Sequence, residues 1–269
     1  MAAILDAQGL NKSFGAVTAA SDISAAIERD SVVGLIGTNG AGKTTFINMI
    51  TGYLKPERGR IHYEGRDITS LAPREITRLG ICRSFQIPQL YASLTAFENM
   101  MAGIGVVLRN AGLGGFFSRG EPLVPGHDLP AEAVAERILQ RFGLSDYRDR
   151  NAQVLPGGVR KLLDIALTMV AKPKILLLDE PTSGVSAEEK FAIMEMIMKA
   201  VRAEGATVLF VEHDMEVVSR FAERVLAFYD GRIIADAPPA VALEDPEVKR
   251  FVVGGELHRI DEAQAKHGA

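Results

Sequence analysis

The sequence predicts an α/β fold: a mostly parallel core sheet, an antiparallel β subdomain and an inserted helical subdomain. Three observations predict it. First, the apolar run Val32-Val33-Gly34-Leu35-Ile36 leads directly into the glycine-rich turn Gly37-Thr38-Asn39-Gly40-Ala41-Gly42-Lys43-Thr44-Thr45, and Phe46 to Ile50 carries on with helical spacing. Second, Ile175-Leu176-Leu177-Leu178 and Thr207 to Val211 are continuous apolar runs, the pattern of strands buried on both faces of a parallel sheet. Third, residues 3–30 alternate apolar and polar positions, as half-buried antiparallel strands do, whereas residues 88–159 carry helical patterns.

Taken in order, residues 3–30 read as strands turned at Phe14-Gly15. The strand, turn and helix of 32–52 follow, with Gly52 near the helix end. Gly59 to Gly65 is a short strand bounded by glycines, Pro73 opens a short helix, and Ile81 to Phe85 is a strand ending at Gln86. Thr95 to Arg109 is a helix with Thr95 and Glu98 at capping-box spacing. Asn110 to Pro130 is rich in Gly and Pro and aperiodic, so it reads as a surface loop. Ala131 to Phe142 and Val159 to Val170 are helices, the first ended by Gly143. Ser186 to Ala203 is an amphipathic helix, with Glu189 at capping-box spacing from Ser186 and Gly205 beyond its end. Val225 to Tyr229 and Arg232 to Ala235 form a hairpin turned at Asp230-Gly231. Gly254 to Ala269 is a polar tail.

Composition narrows the function classes. A chain of 269 residues with 47% hydrophobic and 24% charged residues has the makeup of a globular protein with a sizeable core. The net charge of −4 lacks the basic excess of a nucleic-acid binder. The single cysteine, Cys82, excludes an internal disulfide framework and reads as a small core residue. Met1 to Asp6 has no basic region and no long apolar core, so no signal peptide is expected. No run reaches the ~18 apolar residues of a membrane span.

The glycine-rich turn satisfies the phosphate-loop pattern G-x-x-x-x-G-K-[ST] at every required position and lies between strand and helix, where its mechanism needs it. Glycines let successive backbone N–H groups converge on phosphates, and the helix N-terminus adds partial positive charge. Lys43 is placed to reach the β- and γ-phosphates, and the Thr44 hydroxyl to ligate Mg²⁺. In Ile175-Leu176-Leu177-Leu178-Asp179-Glu180 the first carboxylate past the strand can hold Mg²⁺ and the next can polarise a water for attack on the γ-phosphate.

Phosphate loop, Gln86, Leu155-Pro156-Gly157-Gly158, Asp179-Glu180-Pro181-Thr182 and His213 occur in the order found in the nucleotide-binding subunits of ABC transporters. The chain resembles these subunits over about residues 3–253. It looks most like the subfamily that energises branched-chain amino-acid uptake, through Arg83-Ser84-Phe85-Gln86, the long insert, and Asp245-Pro246-Glu247-Val248 followed by Phe251-Val252-Val253-Gly254-Gly255. The resemblance implies a P-loop ATPase of the ABC type spanning 1–253, with 1–87 and 160–253 as α/β core and β subdomain, 88–159 as helical subdomain with the insert 110–130, and 254–269 as tail. It implies that ATP and Mg²⁺ bind at Gly37, Asn39, Gly40, Ala41, Gly42, Lys43, Thr44 and Thr45, with Phe14 stacking on adenine. A buried, core-filling Phe14 is the competing reading. Thr44, Gln86 and Asp179 would serve the metal, Gln86 also sensing the membrane subunit. Glu180 and His213 would be catalytic, His213 contacting the γ-phosphate.

Two departures stand out. The signature, usually Leu-Ser-Gly-Gly-Gln, is here Leu155-Pro156-Gly157-Gly158-Val159. In the family Pro156, Gly157 and Gly158 would face the nucleotide of a partner subunit. Pro156 lacks both the serine hydroxyl and a backbone N–H. The usual Leu-Asp after Gly184 is Val185-Ser186, although Ser caps a helix as Asp does.

The expectation is therefore the ATP-hydrolysing subunit of an ABC importer, peripheral to the cytoplasmic face of the inner membrane. ATP would bridge two such domains head to tail, and hydrolysis would part them. The partners implied are membrane-spanning permease subunits, docked around Gln86 to Asn99, and a second nucleotide-binding subunit, a heterodimer being favoured by the one-sided signature and a homodimer remaining possible. A periplasmic or surface solute-binding protein is an indirect partner, and Phe116-Phe117 is either a contact patch or a loop anchor. The alternative is a soluble ABC ATPase acting on nucleic acid or ribosomes, against which the acidic balance argues. The Asp179-Glu180 pair argues against a non-hydrolysing binder. Branched-chain amino acids, other amino acids, amides and aromatic acids are all open as cargo.

Overall fold

The computed structural model describes residues 3–84, 90–111 and 123–254. In chain order the strands are β1 (Ala3–Phe14), β2 (Val17–Glu28), β3 (Val32–Gly37), β4 (Arg58–Tyr63), β5 (Arg66–Asp67), β6 (Ile81–Arg83), β7 (Ile175–Asp179), β8 (Thr207–Val211), β9 (Arg224–Tyr229) and β10 (Arg232–Ala237). The α-helices are α1 (Lys43–Ile50), α2 (Pro73–Leu79), α3 (Ala96–Asn110), α4 (Ala131–Arg141), α5 (Gly157–Met169), α6 (Lys190–Arg202), α7 (Met215–Phe221), α8 (Pro239–Ala242) and α9 (Pro246–Val248). The chain forms two compact units, Met1–Leu79 with Thr207–Ala269, and Gly80–Ala206.

The first unit contains the antiparallel sheet β2-β1-β4-β5. Period-two alternation drives it: Leu5 and Ala7 are buried while Asp6 is half-buried and Gln8 exposed. The β1–β2 turn lies one residue later than expected, because Phe14 is still a ladder residue opposite Val17 and the loop is Gly15-Ala16. The same unit holds strands in the order β10-β9-β3-β8, with β3 parallel to both β8 and β9. Every residue of β3 and of β8 is buried, as their continuous apolar sequences require. The β9–β10 hairpin turns at Asp230-Gly231, both at positive φ (45° and 71°), the backbone a two-residue hairpin turn demands. Phe46 of α1 packs on Phe228 of β9 at 5.6 Å between ring centroids.

The second unit pairs β6 with β7 in parallel, Ile81 opposite Ile175 and Arg83 opposite Leu177. Cys82, opposite Leu176 in that ladder, is buried, and burial pushes its thiol up to about 11, in keeping with the small core residue expected. The Thr95–Glu98 capping box forms: Glu98 N–H donates to Thr95 Oγ1 (3.1 Å) and Thr95 N–H to Glu98 Oε2 (2.8 Å). Gly143 turns the chain at φ 62° just after α4. Helix α5 begins at Gly157, two residues before the expected start, with Pro156 as its N-cap.

Several further elements differ from expectation. Helix α6 starts at Lys190, not Ser186. The Ser186 carbonyl accepts from both Glu189 N–H and Lys190 N–H (3.1 Å each), and its hydroxyl meets the Glu189 carboxylate rather than a backbone N–H, so the segment stays a turn. Strand β6 ends at Arg83; Phe85 and Gln86 lie outside the described residues, as do Phe116-Phe117 and the tail from 255. Helices α7, α8 and α9 and a π-helical turn over Lys249–Val253 occupy stretches where the sequence suggested no helix. Asp214 caps α7, accepting from Glu216 N–H (2.9 Å) and Val217 N–H (3.2 Å). Among the described residues no helix is long and apolar enough to cross a membrane.

Candidate nucleotide-binding site

In the first unit, Gly37 closes β3 at φ +146°, Gly40 forms the exposed crest of the loop at φ +84°, and Gly42 precedes α1 at φ +110°. A Cβ on Gly42 would stand 2.8 Å from the Ala19 carbonyl oxygen of β2. The loop is braced from behind by the hairpin turn: Gly231 N–H donates to the Ala41 carbonyl (3.0 Å), and the Gly231 carbonyl accepts from Ser21 N–H (2.8 Å). The first intrahelical bond of α1 runs from Phe46 N–H to the Gly42 carbonyl (2.9 Å), so the N–H groups of Lys43, Thr44 and Thr45 precede the helical ladder. That is the backbone geometry of an anion site.

Lys43 is buried, its ammonium donating to the carbonyl oxygens of Gly37 and of Thr38, the latter at 3.0 Å. The loop's own carbonyls thus hold the cation inside its curl. Thr44 is exposed and Thr45 half-buried. Asn39 and Gly40 are exposed, and Ala41 and Gly42 are buried.

His213 belongs to the same edge of the same unit. Leu35 lies opposite Val211 in the parallel β3–β8 ladder, so Gly37 and His213 each follow by two residues. His213 is half-buried, and its N–H donates to the carboxylate of buried Glu212 at 3.3 Å. Phe14 is 52% exposed at the tip of the β1–β2 hairpin, which rules out the core-filling alternative. Lys12 lies 5.7 Å above its ring and pairs with Glu57 at 3.2 Å. Phe14 pairs with Val17, two residues before Ala19, whose carbonyl lies behind Gly42 of the phosphate loop.

In the second unit, Asp179 ends β7 and Glu180 follows at φ +47°, a left-handed backbone rare for a non-glycine residue. Arg83, at the end of β6, donates to Asp179 Oδ2 at 2.5 Å, both side chains being mostly buried. Lys161 of α5 is also buried and donates to the Asp179 backbone carbonyl at 3.2 Å. Pro156, Gly157 and Gly158 start α5 on an exposed to half-buried surface, with no side chain capping the helix. Arg160 N–H donates to the Pro156 carbonyl (3.0 Å), so the N–H groups of residues 157–159 precede the ladder here too.

Sequence reasoning missed Arg83, Lys161 and Gly231 as site residues. The first two are linked to Asp179 only through strand pairing and helix packing. The third had a signal, the Asp-Gly turn, whose contact with the loop no spacing reveals.

A phosphate loop on a strand–helix turn of a mixed sheet, with a carboxylate pair closing a second buried strand, is the makeup of a nucleoside triphosphatase. The chain belongs to the ABC transporter family, whose model matches residues 20–183, and it is the ATP-binding subunit of such a transporter, an ATP hydrolase. As a transport ATP-binding subunit it is a peripheral membrane-associated protein that works with membrane permeases. A probable branched-chain amino acid transport ATP-binding protein, LivG, of Archaeoglobus fulgidus is 33% identical over 261 residues, covering 96% of this chain and 98% of the relative. The high-affinity branched-chain amino acid transport ATP-binding protein BraF of Pseudomonas aeruginosa is 33% identical over 251 residues, covering 93% and 98%. Among solved structures, an ATP-binding cassette of an ABC transporter matches with a TM-score of 0.79 and 31% identity over 93% of this chain and 98% of the other. A nucleotide-free cassette matches with a TM-score of 0.77 and 32% identity, over 91% and 97%.

Proposed function

We propose that this chain energises uptake of branched-chain amino acids or closely related amino-acid or amide solutes. The observation that carries the reading is near full-length similarity to LivG and BraF, both named for branched-chain amino acid transport. The working unit is residues 1–253, with 88–159 as its helical part, attached to permease subunits at the cytoplasmic face of the inner membrane. A periplasmic or surface solute-binding protein delivers cargo to the permease, and a second nucleotide-binding chain completes the ATP sites.

The residues suit these roles. Backbone N–H groups of the loop and of the first turn of α1 bind the phosphates, and Phe14, exposed on its hairpin, offers a face to adenine. Lys43 neutralises the β- and γ-phosphates. Glu180 polarises the attacking water, with His213 on the γ-phosphate and Gln86 reporting to the permease. The Thr44 hydroxyl in the first unit and the Asp179 carboxylate in the second are each a hard oxygen donor of the kind Mg²⁺ takes alongside phosphate, and the family resemblance assigns both to that ion. Mg²⁺ held by these donors would neutralise charge that develops on the transferred phosphoryl group.

The test is uptake of radiolabelled leucine in a strain deleted for this chain. Restoration by the wild type and not by Lys43→Ala supports the reading. Unchanged uptake in the deletion strain assigns the cargo elsewhere.

A further inference from the structure

The ion pair between Arg83 and Asp179 is not explained by the fold alone. Its partners stand 96 positions apart in sequence and meet because β6 and β7 run parallel, with Arg83 opposite Leu177. Ser84 N–H donates to the Leu177 carbonyl (2.9 Å), which fixes the backbone that carries Arg83. Both side chains are mostly buried, at 14% and 15% exposure, so the contact is shielded from solvent and salt. The Asp179 backbone is held separately by Lys161, so the carboxylate has little freedom to swing away from the guanidinium.

We propose that Arg83 is a positioning residue of the ATPase reaction that competes with the metal ion for Asp179 and so sets the Mg²⁺ threshold for nucleotide loading. The inference rests on the assignment of Asp179 to the metal. The guanidinium takes Oδ2 at 2.5 Å and cancels the carboxylate charge that a cation would otherwise meet. A divalent ion must either settle for Oδ1 beside a fixed positive charge or displace the guanidinium. Both lower its affinity. A carboxylate stripped of Arg83 would be a half-buried anion without that cation, and would favour any divalent ion that reached it.

The experiment reads metal binding rather than turnover. Purified full-length chain is saturated with ADP and titrated with Mn²⁺, free ion being counted by electron paramagnetic resonance. Arg83→Gln is expected to lower the Mn²⁺ concentration at half-saturation about tenfold, roughly 1.4 kcal/mol. Arg83→Lys, which keeps a cation, is expected to stay within about threefold of wild type. Thermal melts identify any variant that has unfolded, and Arg83→Met then replaces Gln. An unchanged or raised half-saturation in the folded neutral variants overturns the competition. A wild-type chain that takes up no Mn²⁺ with ADP overturns the metal assignment itself.

Discussion

Two alanine substitutions in the phosphate loop separate folding from phosphate binding. At Gly37 a Cβ would stand 2.4 Å from the Phe228 carbonyl oxygen and 3.2 Å from Ala41 Cβ, at φ +146°. The nearest atom is backbone in the next strand, which cannot rotate aside. The left-handed backbone costs about 1–2 kcal/mol, and the forced repacking about 1–3 kcal/mol more. At about 2–4 °C per kcal/mol for a chain of this size, Gly37→Ala should melt roughly 4–20 °C lower. At Gly40, φ is +84° but nothing lies within 4 Å of the added carbon. There only the backbone strain applies, a fall of roughly 2–8 °C. The methyl instead crowns the exposed crest and holds a phosphate off the backbone. Losing one N–H to phosphate bond, worth about 1.5–3 kcal/mol, weakens ADP roughly ten- to hundredfold. Calorimetric melts and ADP titration read both variants. If Gly37→Ala melts within about 2 °C of wild type, the Phe228 contact does not hold the loop. If Gly40→Ala binds ADP like wild type, the crest is not where phosphate docks.

Three further outcomes are expected. Pro156→Ser should supply the side-chain cap that α5 lacks, raising stability by about 0.5–2 kcal/mol, and should speed ATP turnover in the assembled complex; unchanged turnover refutes the role given to the hydroxyl. Asp214→Ala removes a cap that accepts from two N–H groups of a seven-residue helix beginning just after His213, so stability should fall by about 1 kcal/mol and ATPase rate with it, Asp214→Asn retaining both; equal melting of Ala and wild type counts against this. Buried His127 accepts from Arg137 at Nδ1 (2.7 Å) and therefore donates from Nε2 to the Val170 carbonyl (2.9 Å), and burial pushes its pKa below the ordinary 6.5, with Arg137, Lys172 and Arg141 adding to the shift. The unfolded chain then binds the extra proton first, so stability is fully present above about pH 6.5 and is lost as pH falls through the lower folded value; melts at pH 7.5 and 5 should show a steeper loss in wild type than in His127→Gln, and parallel losses would exclude the buried imidazole as the cause.

What the sequence disclosed, and what it hid, divides along the range of the interactions involved. The phosphate loop, the Thr95–Glu98 cap and the Asp230-Gly231 turn were legible because each is built by residues within a few positions of one another. Ser186 and Glu189 show where even local spacing misleads: the same pair that can cap a helix instead bonds side chain to side chain and leaves the segment a turn. The His127 clamp was hidden because its stretch reads as an aperiodic loop, and only the packing of α4 and α5 brings Arg137 and the Val170 carbonyl to the ring. Arg83 on Asp179 was hidden for a related reason. Its register is set by parallel strands joined through nearly a hundred intervening residues.

The signature departure is narrower than its sequence implies. Pro156 sits at the N-cap, outside the helical ladder, with φ −53° and ψ 153°. An N-cap residue takes such an extended backbone in any case, and the N–H that proline lacks precedes those offered to an anion. Gly157 and Gly158 therefore present their N–H groups at the start of a thirteen-residue helix as a serine-capped chain would. A Cβ at Gly158 would meet the terminal Cδ1 of Ile193 at 2.5 Å, a contact that a rotation of the isoleucine side chain must relieve. The element lost is one hydroxyl, worth about 1.5–3 kcal/mol against a charged phosphate. If this helix start faces a partner's nucleotide, as the family resemblance implies, that is enough to slow the site by one to two decades and too little to abolish anion binding there. Paired with a nucleotide-binding chain whose signature keeps the serine, this chain is expected to give two ATP sites of unequal rate, and Pro156→Ser is expected to narrow the difference.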